Sequence, residues 1–410
     1  MRSLGVAALA CAFFAAAAGV LSLPGVRGES ESARSETVEL LPPETETATE
    51  TENPEIEDLP TPEEAVDRGI DWLVSVQGAD GGWGQDGGAT SYVRQGESLE
   101  TTGNDVANTA VAAMALIRAG HTPATGKYKE NARRAVEFVL RGVEEAPEEG
   151  LRLATLEGTQ IQRKLGPFID TFLASRLLGD LDGETGDRKL DQRVRAALQQ
   201  CVAKIEANQA EDGSWNRGGG WAPILGTSFA SQSLSVARRK GVPVDGEVLA
   251  KADDYGRLAA QPSAGLDGRA ADGAVRALSR VTSAPAAAAG VALYNDALVF
   301  EQLSRSEESR KANKQELDAV ARKLSDTNFQ AGYGSMGGEE FFSYLNISDS
   351  LRRTGGKPWS QWNGDMQTKL VRLQNSDGSW AGHHCITGRV AVTGAAVLTM
   401  LVERMPADEG

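Results

Sequence analysis

The heptapeptide Gln-x-x-Asp-Gly-(Gly/Ser)-Trp occurs three times, at Gln77–Trp83, Gln209–Trp215 and Gln374–Trp380. Gln, Asp, Gly and Trp keep the same offsets in every copy, and recurrence at that specificity marks a chain assembled from repeated units. The residues in front of each copy define the unit. Val66, Ile70, Leu73 and Val74 precede the first, Val194, Leu198, Val202 and Ile205 the second, and Met366, Leu370, Val371 and Leu373 the third. Each set recurs at helical spacing, so each motif follows a helix with one apolar face. Thr61, Pro62 and Glu64 supply the first helix with an N-cap, a first-turn proline and a capping box. That helix is expected to end near Gln77, which makes the motif a helix terminus plus its turn.

A second type of helix follows each turn. Val106–Leu116, Ser228–Leu234 and Val390–Leu398 are dominated by Ala, Gly, Thr, Ser and aliphatic residues with no clear polar face. Such a helix is expected to be surrounded by others, because small side chains permit close approach. The unit is therefore an amphipathic outer helix, a Gln–Trp turn and a buried inner helix. Helical hairpins in arrays repeat at roughly 34 to 47 residues, so the long intervals between copies must each contain about two degenerate units. Asn131–Arg141, Phe168–Leu178, Gly246–Leu258, Val291–Leu303, Gln315–Leu324 and Phe341–Leu351 are the expected additional helices. Gln330–Gly334 reads as a degenerate turn with Tyr333 in the aromatic role. The fold class is all-α, with about six helical hairpins and little that reads as sheet.

The N-terminal residues are of other kinds. Arg2 and the apolar run Leu4–Leu23 within 1–28 have the layout of a signal peptide, and the run is also long enough to serve as an uncleaved N-terminal anchor. Residues 29–60 are rich in Glu, Thr and Pro and poor in large apolar side chains. They cannot bury enough surface to offset ordering entropy and are expected to form a disordered linker. The linker holds 11 acidic residues against one Arg, which accounts for most of the net charge of −15. The remainder, 61–405, is only mildly acidic and is expected to bind no nucleic acid. An exported protein follows, periplasmic, secreted or tethered, touching membrane only through the N-terminal segment if that is retained. Cys201 and Cys385, the two cysteines beyond the leader, do not form a disulfide framework by themselves.

Arg68-Gly69-x-x-Trp72-Leu73-x-x-x-Gln77-x-x-x-Gly81-x-Trp83 closely resembles the QW motif of squalene and oxidosqualene cyclases, and the repeats more weakly resemble those of protein prenyltransferase β subunits. The resemblance extends over most of 61–405. It implies an α/α toroid, an inner ring of helices within an outer ring. It also implies a structural role for Gln77, Trp83, Gln209, Trp215, Gln374 and Trp380 in joining neighbouring outer helices.

The chemistry of those families is not matched. Cyclases of the family protonate an alkene or epoxide with the middle Asp of D-x-D-D-T-A; here Asp105-Val106-Ala107-Asn108-Thr109-Ala110 places Ala107 at the donor position and Asn108 at the supporting one. Alanine has no proton to give. Prenyltransferases use a D-x-C pair and a later His to hold zinc, and neither Cys201 nor Cys385 has Asp two residues before it. The sequence calls for no cofactor.

Several polar residues remain as candidates. Asp105, Asp170, Asp296 and Glu301 are placed to face the cavity from inner helices, although Asp105 and Asp296 stand equally where N-caps belong. His383-His384-Cys385, just after the third Trp, offers metal-ligand chemistry, against which stands the difficulty of turning adjacent side chains toward one ion. Asn346-Ile347-Ser348 matches a glycosylation sequon by pattern alone. The reading favoured by the residues is an exported, non-catalytic toroid that binds a ligand or protein in its concave face, an apolar or isoprenoid ligand being one candidate. The alternatives are a terpenoid cyclase-like or other enzyme using different acids, and a structural component of the cell envelope.

Overall fold

The computed structural model describes residues 59–86, 103–215, 223–260, 296, 299–300, 303–324, 337–383 and 385–404. The leader and nearly all of the acidic linker lie outside these residues. The first helix, α1 (Pro62–Ser75), begins as its sequence requires. The Thr61 hydroxyl accepts from Glu64 N at 3.2 Å and Thr61 N donates to Glu64 Oε2 at 2.8 Å. The reciprocal pair satisfies two of the N–H groups that a helix start leaves open.

Two classes of helix follow, distinguished by burial. α3 (Lys129–Glu144), α6 (Arg188–Ala207), α8 (Gly246–Ala260), α10 (Lys314–Leu324) and α12 (Gly356–Leu373) resemble α1 in being amphipathic. On α3 the stripe Ala132, Ala135, Val136, Val139, Leu140 and Val143 is buried while the opposite face is wet. By contrast α2 (Val106–Arg118), α5 (Ile169–Leu181), α7 (Pro223–Arg239), α11 (Gly338–Thr354) and α13 (Arg389–Met400) are enclosed. Every residue from Val106 to Leu116 of α2 and from Val390 to Met400 of α13 is buried. Short helices α4 (Gln160–Leu165) and α9 (Glu307–Ala312) are connectors, and a 3₁₀ turn, Val402–Arg404, follows α13. No strand occurs among the described residues, which contain an isolated bridge between Trp83 and Asp105.

Among the described residues the inner helices pack in series. α2 packs on α5, α5 on α7, α11 on α13, and α13 returns to α2. Across from α7, Gln232 Nε2 donates to Asn346 Oδ1 of α11 at 2.9 Å, and Phe229 meets Phe342 edge-on at 5.7 Å. The architecture is all-α, as the repeat pattern predicts, and is the α/α toroid that the family resemblance implies. The expected additional helices are present with ends shifted by up to three residues, except that Val291–Leu303 falls largely outside the described residues; of it, Asp296, Val299, Phe300 and Leu303 are helical. The degenerate turn at Gln330–Gly334 also lies outside them.

The three Gln–Trp turns share one set of bonds. Gln77 Nε2 donates to Gly81 O within its own turn (2.9 Å) and to Asn131 O at the start of α3 (3.0 Å). Gln209 Nε2 does the same to Gly213 O (3.0 Å) and Val248 O of α8 (2.8 Å). Gln374 Nε2 bonds Gly378 O (2.9 Å) and Ala65 O of α1 (2.7 Å), joining the last outer helix to the first. Each indole N–H donates back to the preceding helix end, Leu73 O, Ile205 O or Leu370 O, at 2.7–2.8 Å. Each Trp backbone N–H reaches a threonine hydroxyl on the following inner helix, Thr109, Thr227 or Thr393. The turn is thus a three-way joint between its own hairpin's two helices and the next outer helix.

Gly69 shows why a residue unfavourable in a helix interior is retained at ring closure. A Cβ at position 69 would stand 2.8 Å from Trp380 Cζ3 and 3.0 Å from Val397 Cγ2. Helix propensity favours Ala over Gly by about 1 kcal/mol, whereas overpacking costs about 1–3 kcal/mol. Gly69→Ala is therefore expected to lower stability, by up to about 2 kcal/mol net on those two magnitudes, when measured by urea unfolding. An increase in stability would mean that Trp380 does not seat against α1.

Candidate functional site

The N-terminal ends of α2 and α5 bring two of the sequence candidates together. Asp105 is the N-cap of α2, held in extended backbone by its own N–H, which donates to Trp83 O at 3.0 Å. Its Oδ1 accepts from Asn108 N at 2.9 Å and its Oδ2 from Asn108 Nδ2 at 2.8 Å. Asp170, in the first turn of α5, serves the neighbouring helix: its Oδ1 accepts from Ala107 N at 3.0 Å, and its Oδ2 from Gln162 Nε2 at 2.7 Å. Val106 N in turn donates to Thr155 Oγ1 at 3.0 Å. The three exposed-by-default N–H groups of the first turn of α2 are thus met by side chains from three different segments. Convergence on a positive helix terminus explains why carboxylates stand here.

Both carboxylates are buried, Asp105 completely and Asp170 almost so. Burial pushes the affinity of Asp105 for a proton above the ordinary carboxylate range, and the neighbouring Asp170 pushes it further, against the Asn108 bonds. Burial likewise raises Asp170, opposed by its bonds from Gln162, Ala107 and Thr155. The pair can store a proton, as like-charged buried carboxylates do. The space beside Asp170, lined by Thr155, Gln162, Pro167 and Thr171 among others, amounts to about 10 Å³, at most one water.

Asp296 and Cys385 have partners other than this pair. Asp296 lies 2.7 Å from Lys323 Nζ on α10; burial raises its carboxyl even so, with Lys323 pulling the other way. Glu301 and His384 lie outside the described residues. His383 is exposed. Cys385 adopts a positive φ of 62° and is partly buried, and burial together with Glu339 pushes its thiol up to about 12. A thiol protonated to that degree is a poor nucleophile and a poor ligand. Among the described residues no three His, Cys, Asp or Glu side chains are grouped to hold a metal ion. The sequon Asn346 is fully buried, donating to Ser228 Oγ and accepting from Gln232, so it is unavailable for glycosylation in the folded chain.

Among the described residues, Met114, Leu173, Phe229, Leu345 and Leu398 converge with Arg118, Arg176, Gln232, Asn346 and Asp349 around a cavity of about 30 Å³. Cavities that enclose organic ligands are commonly about 300–1,000 Å³. The charged members of this lining were not among the sequence candidates. The signal for two of them was an i,i+4 pair, Arg176–Asp180 on α5 and Asp349–Arg353 on α11. A second concavity, about 280 Å³, lies outside the axis between Pro147, Leu151, Arg152, Phe168 and Asn208.

Comparison with known proteins places the sequence resemblance at the first hairpins. The squalene-hopene cyclase C-terminal domain family matches residues 54–150, which contain α1, the first Gln–Trp turn, α2 and α3. The chain is thus similar to terpenoid cyclases over that segment and has an α/α toroid throughout its described hairpins. No curated protein matches. Among solved structures, a protein from Actinoplanes is 15% identical, with 84% of this chain and 99% of that one aligned and a TM-score of 0.43. The apo type II terpene cyclase MstE from Scytonema is 12% identical over 83% of this chain and 97% of its own, with a TM-score of 0.33.

The carboxylate pair makes a pH prediction. Because the folded-state affinities of Asp105 and Asp170 for protons are raised, the native chain binds protons more tightly than the unfolded one. Their contribution is most favourable below the unfolded-state value near about 4 and is lost as pH rises through the folded-state values. Asp105→Asn keeps a capping oxygen, and the Asn108 amide can turn to accept from the new amide. The wild type is expected to lose more stability than this variant between about pH 4 and neutrality, measured as urea midpoints. Parallel pH profiles would show that the pair carries no excess proton.

Proposed function

We propose that this chain is a non-catalytic binding module: an exported α/α toroid that presents a rim rather than a reaction chamber. The observation that supports this reading is the small size of the cavity where the described side chains of α2, α5, α7, α11 and α13 meet, about 30 Å³. A polyene that must fold before it cyclises needs a cavity at least an order of magnitude larger. The acid chemistry points the same way. The donor position is Ala107, whose backbone N–H is occupied by Asp170. The concavity by Phe168 and Arg152, which joins apolar surface to a guanidinium lying 5.7 Å from the ring, is the surface best shaped for a partner. The acidic linker would then act as a tether holding the toroid away from the cell surface.

A second reading has one observation in its favour. Asp105 and Asp170 form a buried pair with raised proton affinity at the helix start where cyclases carry their acid, which is what an acid-catalysed isomerisation or cyclisation would require. An opening of the ring at that end would be needed to admit substrate.

Incubation of the purified full chain with squalene, 2,3-oxidosqualene and geranylgeranyl diphosphate separates the two. The binding-module reading expects starting material alone by gas chromatography–mass spectrometry and no isoprenoid in an organic extract of the protein. A cyclic product, abolished in Asp105→Asn and Asp170→Asn, would overturn it in favour of catalysis.

A further inference from the structure

The C-terminal half of the inner ring contains a charge arrangement that the proposed function does not use. Arg118 ends α2 and Arg176 lies within α5, and their side chains are only 8% and 10% exposed. Both lean on one carboxylate. Arg118 Nη2 donates to Asp180 Oδ2 at 3.2 Å, and Arg176 Nε stands 3.5 Å from Asp180 Oδ1. Arg176 Nη1 also donates to Gln232 Oε1 at 3.3 Å. Two guanidiniums thus share a single carboxylate. Arg118 Nη1 and Arg176 Nε, both buried, have no hydrogen-bond partner among the described residues. The two arginines line the same axial cavity of about 30 Å³.

Asp349 lines that cavity too and favours the charge of both arginines, but it is committed elsewhere. It pairs with Arg353 and lies 4.0 Å from Arg352 Nη2. Although burial opposes ionisation, Arg353, Arg176 and Arg352 together hold its carboxyl down at about 2. Burial and the neighbouring Arg176 weaken the hold of Arg118 on its proton, against Asp180 and Asp349. A buried guanidinium N–H left unpaired is costly, and an unbalanced buried charge more so. An occupant that accepts from both arginines and carries one negative charge removes both costs at once.

We propose that Arg118 and Arg176 hold a halide-sized monoanion, chloride in the ordinary medium, in the axial cavity of the toroid. The volume, enough for about one or two waters, excludes tetrahedral oxyanions and diphosphates. The apolar walls Leu173, Phe229 and Leu398 strengthen the attraction by excluding solvent. The anion is a structural ligand of the ring, binding where α2, α5, α7 and α11 meet.

Bromide serves as the probe. Crystals of the full chain soaked in sodium bromide are expected to show an anomalous peak within hydrogen-bond distance of Arg118 Nη1 and Arg176 Nε. In solution, sodium bromide at constant ionic strength, balanced with sodium fluoride, is expected to raise the melting temperature saturably. Arg118→Met leaves Arg176 and Asp180 as a neutral pair, so this variant is expected to melt independently of bromide. A water without anomalous signal in the cavity would overturn the proposal. So would a bromide response that is unchanged in Arg118→Met. Should the variant fail to fold, the anomalous map of the wild type decides the matter alone.

Discussion

One glutamine amide, repeated three times, sets the spacing of the outer ring. Each of Gln77, Gln209 and Gln374 donates twice from the same nitrogen, once into its own turn and once to a carbonyl near the start of the next outer helix. The turn must keep its shape for that bridge to form. The glycine at Gly81, Gly213 or Gly378 takes φ of 86–91°, and a Cβ there would meet the backbone of the adjoining outer helix within 2.1–2.6 Å. The indole then covers the joint from beneath while its N–H returns to the helix it terminates. Packing against the apolar stripe supplies most of the stability; the glutamine decides which helix is the neighbour.

That arrangement distributes polar groups unequally along the axis. The inner helices begin at one end, where Asp105 and Asp170 receive the open N–H groups of α2. Their C-terminal halves contain Arg118, Arg176, Arg352 and Arg353 with Asp180 and Asp349. Carboxylates at helix starts and arginines toward helix ends both follow the helix dipole. Phe229, Leu345 and Leu398 line one cavity with Arg118, Arg176 and Asp349. The dipole rule thus accounts for the carboxylates at one end and the arginines at the other, while Asp180 and Asp349 stand where they offset the arginines.

Sequence made the scaffold legible because its signals are local. Capping at Thr61, the stripes on the outer helices and the motif offsets all lie within one or two turns of chain. The additional helices were visible from their apolar stripes but were drawn short at their polar ends; α11 runs to Thr354 rather than Leu351. α4 and α9, each of six residues, carry too little periodicity to be seen. The candidate site was less legible. Asp105 and Asp170 were both visible, but their meeting, 65 residues apart in sequence, depends on ring geometry. That Asp170 caps a helix other than its own has no sequence signature. Nor does the small cavity at Arg118 and Arg176, which depends on how five inner helices present their side chains to one point.

The claim on which the rest stands is that the turns make the ring a single closed structure, with Gln374 fastening the last outer helix to the first. Native-state hydrogen exchange on Gln374→Leu tests it most directly. Closure predicts that protection falls in both α1 and α12, more than 280 residues apart in sequence and joined through Ala65 O. Loss of protection confined to α12 and α13, with α1 unchanged from wild type, would contradict it.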